Sequence, residues 1–167
     1  MSAQMVSSAQ SRAELEELYE REVATVHGFL LARCGNATLA EDLTTEVFIN
    51  AATRFAQGRS AEVSTGWLIT VARRRLVDHW RRSDTQRRGI EVLKRERAPL
   101  GETDEDGRVL AALDSLAPRQ RAALVLRYLD DHSVSEVADA LGVDYRAAES
   151  LLARGRRAFE RAYEEQS

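Results

Sequence analysis

The sequence predicts an all-α protein of two small helical domains, a bundle followed by a helix-turn-helix, joined by a flexible linker. Three observations predict it. The 167 residues include only two prolines and nine glycines among abundant Ala, Leu, Glu and Arg, a composition that favours helix. Apolar residues recur at helical spacing in two blocks, and no stretch shows convincing strand alternation. Between the blocks, from Ser83 to about Gly107, the chain is polar. It carries Gly89, Pro99, Gly101 and Gly107 and the acidic run Glu102-Thr103-Asp104-Glu105-Asp106. Such a stretch cannot bury a core and reads as a linker. The expected division is a frayed tail at 1–12, a first domain at 13–82, a linker at 83–107 and a second domain at 108–167.

The first domain carries two helices of functional interest. Over Leu39 to Phe55, Ala40, Leu43, Val47, Phe48, Ala51 and Phe55 share one face and should bury together. The opposite face holds Asp42, Thr45, Glu46 and Thr53 around Ile49. An isolated exposed isoleucine is ordinary surface; ringed by polar groups, it also fits the apolar centre of a protein-binding patch. The next helix, Thr65 to Arg82, contains VARRRLVDHWRR in a chain whose net charge is −3. At about 100° per residue, Ile69, Ala72, Leu76 and Trp80 form the apolar stripe. Arg74, Arg75, Arg81 and Arg82 fall opposite, around Asp78, and Arg73 at the stripe's edge is placed to brace the fold. A solvated face paired through Asp78 is one reading. One aspartate cannot neutralise four arginines, however, and Arg87 and Arg88 add charge just beyond. An uncompensated basic stripe is what a phosphate backbone requires. Trp67 and Trp80 offer surfaces for base stacking, although both lie on the apolar side and are expected in the core.

The second domain is punctuated more sharply. Pro118 opens a helix running to about Leu129. After the Asp130-Asp131-His132 turn, Ser133 and Glu136 form a capping-box pattern before a short helix, Val134 to Leu141. Gly142 suits its left-handed end, and Asp144 the N-cap of a long last helix. Short helix, glycine turn and second helix make a helix-turn-helix, whose second helix enters a major groove. On that last helix Ala148, Leu151, Leu152, Gly155 and Phe159 share the inner side. Arg146, Ser150, Ala153, Arg154 and Arg157 share the outer one, with Glu149 at its shoulder. The alternative is an ordinary helical hairpin with a charged face.

Other classes find little support. Cys34 is the sole cysteine, so no internal disulfide can form, which fits a reducing cytoplasm. No apolar run approaches the roughly 18–20 residues of a membrane span, and the polar opening MSAQMVSSAQ lacks a signal peptide's centre. Membrane insertion, a metal site and a cofactor are not expected. His27, His79 and His132 are scattered with no nucleophile beside them, so the chain does not read as an enzyme.

These segments resemble a known family. DLTTEVFINA (Asp42 to Ala51) and TGWLITVARRRLVDHWRR (Thr65 to Arg82) are similar to region two of bacterial sigma factors. LDSLAPRQR (Leu113 to Arg121), LDDHS (Leu129 to Ser133) and SEVADALGV (Ser135 to Val143) are similar to region four. Their order and the short tether match the extracytoplasmic-function (ECF) group. The resemblance implies an alternative sigma factor that binds core RNA polymerase and starts transcription at specific promoters. Asp42, Thr45, Glu46 and Ile49 would dock on the polymerase. Arg59, Ser60, Arg74, Arg75, His79, Arg81 and Arg82 would hold the melted downstream promoter element. Tyr145, Arg146, Ala147, Glu149, Ser150, Arg154 and Arg157 would read the upstream element. An anti-sigma protein is the implied regulator. The chain departs from the family pattern at Thr45, Ala52, Ala148, Glu149 and Leu151, and Glu149 suits a cytosine amino group. Two other functions compete. One is a sigma-like protein that titrates polymerase or an anti-sigma protein without initiating. The other is a stand-alone helix-turn-helix regulator.

Overall fold

A computed structural model describes residues 2–86 and 104–166, and these residues are almost wholly helical. Helix α1 spans Ser2–Cys34, α2 Ala37–Ala56 and α3 Thr65–Gln86, with a single 3₁₀ turn at Ser60–Glu62 between the last two. Helix α4 spans Asp104–Asp114, α5 Pro118–Leu124, α6 Val134–Leu141 and α7 Tyr145–Glu164. A π turn, Val125–Leu129, prolongs α5.

Local chemistry sets these limits. Gly35, at φ 63°, ends α1, and Asn36 starts α2 by accepting the Leu39 amide at 2.9 Å. Ser64 accepts the Trp67 amide at 3.1 Å to open α3. Ser133 and Glu136 close the expected capping box, at 3.1 and 2.9 Å, and Gly142 at φ 65° ends α6. Asp144 accepts the Ala147 amide at 2.8 Å and starts α7. The expected helices are therefore observed as α2, α3, α5, α6 and α7.

Three boundaries differ from expectation. Helix α1 begins at Ser2 and so takes in the segment expected as a frayed tail. Helix α3 runs on through Ser83 to Gln86, and α4 begins at Asp104, so Asp104, Glu105, Asp106 and Gly107 are helical rather than linker. Acidic residues in a first turn favour the helix dipole. Arg87, Arg88, Gly89, Pro99, Gly101, Glu102 and Thr103 lie outside the described residues.

All six apolar residues expected to bury on α2 do so, and Ala72, Leu76 and Trp80 on α3 are essentially inaccessible. Ile69 is only half-buried; Leu68 and Val77 complete the stripe instead. The two domains pack against each other. Helix α3 packs on α5 and α6, and one continuous apolar core runs from Val26 and Leu30 through Leu76 and Trp80 to Leu126, Leu141 and Leu152.

Candidate nucleic-acid and polymerase interfaces

The outer face of α2 is as the pattern predicts. Asp42, Thr45 and Thr53 are exposed, and Ile49 is 60% exposed between them. Thr45 and Thr53 return their hydroxyls to carbonyls one turn back, at 3.0 and 3.1 Å. Glu46 is half-buried because Arg75 of α3 reaches toward it at 4.0 Å.

Beside this face, α2, the loop after it and the start of α3 enclose a recess of about 430 Å³. Arg54, Arg59, Arg74 and Arg75 approach it, Trp67 forms a wall, and Asn50, Thr53 and Gln57 supply polar atoms. Glu62 steadies Arg54 and Arg59 at 3.1 and 2.9 Å, and the Arg54 guanidinium lies 5.8 Å from the Trp67 ring centre. Arg75 donates to the Asn50 amide oxygen at 3.2 Å. A cationic rim, an aromatic wall and amide groups together suit an unstacked base with its flanking phosphates.

The downstream residues named from sequence are thus split. Arg59, Arg74 and Arg75 meet at this recess. Ser60 is half-buried in the 3₁₀ turn, where its carbonyl accepts the Val63 amide. Arg75, Arg81 and Arg82 converge with Asp78 and Arg119 in a second hollow, Arg81 lying 3.9 Å from Asp78. His79 turns aside to Ser83 at 3.4 Å. Sequence reading missed Asn50 and Arg54, although their spacing of four residues along α2 puts them on one helix side. It also assigned both tryptophans to the core. Trp80 is fully buried, whereas Trp67, in the first turn of α3, is half-exposed and lines the recess.

Helix α7 presents Tyr145, Arg146, Glu149, Ser150, Arg154 and Arg157 to solvent, with Ala147 half-buried beside its cap. Arg154 and Arg157 fold back on the Ser150 and Ala153 carbonyls at 3.3 and 3.4 Å. Leu151 is half-buried on the inner side, as expected. Arg156 donates to the Tyr128 hydroxyl at 2.9 Å, which raises the guanidinium pKa. Cys34 is buried and donates to the Asn36 carbonyl at 3.4 Å; burial pushes its thiol pKa above the ordinary value. Among the described residues no group of His, Cys, Asp or Glu could hold a metal ion, and no helix is long and apolar enough to cross a membrane.

Residues 18–86 match the family model for sigma-70 region 2, and residues 106–159 that for sigma-70 region 4. The ECF RNA polymerase sigma factor BldN of Streptomyces coelicolor is 31% identical over 156 residues. That match covers 86% of this chain and 58% of the relative, so the chain spans little more than half of BldN. The ECF RNA polymerase sigma factor SigX of Bacillus subtilis is 29% identical over 152 residues, covering 83% of this chain and 77% of SigX. The sigma factor RpoE of Bartonella quintana, solved in complex with the anti-sigma factor NepR, shares the fold at a TM-score of 0.54. It is 20% identical, with 90% of this chain and 97% of that one covered.

Proposed function

The chain belongs to the sigma-70 family of RNA polymerase sigma factors, whose regions 2 and 4 it carries, and from that premise we propose that it is an alternative sigma factor of the ECF group. It binds core RNA polymerase in the cytoplasm and directs initiation at specific promoters. Its work is binding rather than catalysis, and an anti-sigma protein restrains it.

The observation that carries this reading is the recess where Arg59, Arg74 and Arg75 meet beside Trp67. A duplex cannot enter a hollow of that size, but an extruded base can, and base–aromatic stacking is worth about 1–3 kcal/mol per base. Arg81 and Arg82 continue the cationic path along α3 for the captured strand. Helix α7 offers an exposed reading face of Arg146, Glu149, Ser150, Arg154 and Arg157 for the upstream duplex. Asp42, Thr45, Glu46 and Ile49 provide the apolar-centred polymerase patch. Holding both DNA-binding halves on one polymerase raises their effective concentration at a correctly spaced promoter.

Purified protein added to core polymerase should generate transcript starts confined to a shared promoter sequence. Polymerase binding without initiation would replace this reading with that of a titrating regulator. Promoter binding without polymerase binding would point to a stand-alone helix-turn-helix regulator.

A further inference from the structure

We propose that Asp130, held between Arg33 and Arg73, is an intramolecular latch that keeps the free chain closed, with α6 lying across the basic end of α3. The Asp130 carboxylate takes two hydrogen bonds from Arg33 through one oxygen, at 2.7 and 3.0 Å, and its other oxygen lies 3.3 Å from Arg73 Nε. Its side chain is only 1% exposed, against 16% for Arg33 and 27% for Arg73. Phe29 supports both guanidinium groups, at 3.6 and 5.7 Å from its ring centre. The bridge therefore joins α1 and α3 of the first half to the turn before α6 in the second.

The carboxylate is not needed by its own turn. That turn is closed without it, by backbone bonds from the Asp130 amide to Val125 at 3.1 Å and from the His132 amide to Leu126 at 2.9 Å, and by the Arg127 guanidinium donating to the His132 carbonyl at 2.9 Å. The charges of Asp130 are instead spent across the junction between the halves. Ionic contacts of this kind fix a register: both partners regain water when the halves separate, whereas removing one partner alone leaves buried charge uncompensated in the closed state. An interface tied in this way can open.

Closure has a specific consequence for α3. The cleft between the halves is walled by Arg73, Arg74, Asp78 and Arg81 on one side and His132 and Asp139 on the other. The Arg81 guanidinium reaches so close to Gly142, at the end of α6, that a Cβ there would lie 3.0 Å from Nη2. A strand following α3 from Arg74 toward Arg81 meets α6. The outer face of α7 stays open. Asp130 also occupies a two-arginine fork of the kind that binds phosphate, so opening frees Arg33 and Arg73 as cations additional to those along the strand path. The latch stands on these contacts; its regulatory meaning rests on the proposed sigma function.

The test uses the full chain with Asp130→Asn, which keeps the shape and removes the charge, and independently Arg33→Gln. Circular dichroism confirms the fold. X-ray scattering should find the closed-to-open ratio reduced about tenfold or more in each variant, equivalent to about 1.4 kcal/mol, with a larger radius of gyration. Single-stranded DNA should bind the free Asp130→Asn protein more tightly than the wild type. Unchanged scattering in both helical variants overturns the latch, as does opening without any gain in strand binding by Asp130→Asn. Opening with that gain supports it, even if none of the three proteins initiates with core polymerase; that last result would reject the sigma function alone.

Discussion

Replacing Arg121 by methionine tests how far one buried cation organises the second half. Its side chain is 2% exposed, lies 5.7 Å from the Trp80 ring centre and serves the C-terminal end of α4. It donates to the carbonyls of Leu113 at 2.9 Å and Asp114 at 2.8 Å, more weakly to Leu116 at 3.4 Å, and lies 3.3 Å from the Asp114 carboxylate. Two short bonds from a charged donor are worth about 1.5–3 kcal/mol each. Methionine fills much of the volume and relieves the desolvation of the guanidinium, and Asp114, partly exposed, can recover water. The net loss expected is about 2–4 kcal/mol, or roughly 4–16 °C in melting temperature at 2–4 °C per kcal/mol for a chain of this size. Urea and thermal unfolding of the full chain measure it. Lysine should rescue little, since it cannot reach several carbonyls with a planar fork. A loss below about 0.5 kcal/mol, the range of ordinary surface substitutions, would refute the reasoning.

Neutralising Arg74, Arg75, Arg81 and Arg82 together to glutamine should abolish open-complex formation. It should also flatten the salt dependence of single-strand binding by up to about 3 in log–log slope, at roughly 0.7 per lost phosphate contact; intact open complexes by permanganate footprinting would contradict the downstream assignment. Gly142→Ala should cost about 1–2 kcal/mol in urea unfolding, because a left-handed φ strains any residue with a Cβ. Glu149→Lys should change the preferred upstream sequence in a randomised-promoter selection more than it changes overall affinity; an unaltered preference would remove Glu149 from base reading. Cys34 should resist alkylation near pH 8, its raised pKa leaving little thiolate. As pH rises, the unfolded thiol loses its proton first, so the stability tied to the buried thiol is full below the ordinary thiol range and is lost above it. Alkylation of the folded chain as fast as of the urea-unfolded chain would contradict this.

What could be read from sequence was what is encoded locally. Ser133 with Glu136, Gly142 and Asp144 each act within one turn, so their pattern set both ends of α6 and the start of α7 to the residue. The buried face of α2 needed only helical periodicity. Asp104–Gly107 was misread because an acidic, glycine-containing run looks equally like a tether and like the first turn of a helix. The Arg33–Asp130 pair, 97 residues apart, has no periodic signature at all. The recess was half legible: its arginines stood out as excess charge, but Trp67 looks the same in sequence whether its indole is packed in the core or exposed at the wall of a hollow.

The triplet Arg73-Arg74-Arg75 shows why charge counting alone misleads. Successive side chains on a helix diverge by about 100°, so three adjacent arginines cannot serve one surface. Arg73 turns toward Asp130 and the second half, Arg75 toward Asn50 and Glu46 on α2, and Arg74 remains exposed between them. One cation ties the halves, one braces α3 against α2, and one stands in solvent where the proposed strand would run. The dense basic segment of an acidic chain is therefore a junction of three surfaces: Arg73 and Arg75 are engaged by partners on other elements, and Arg74 presents its charge directly to solvent.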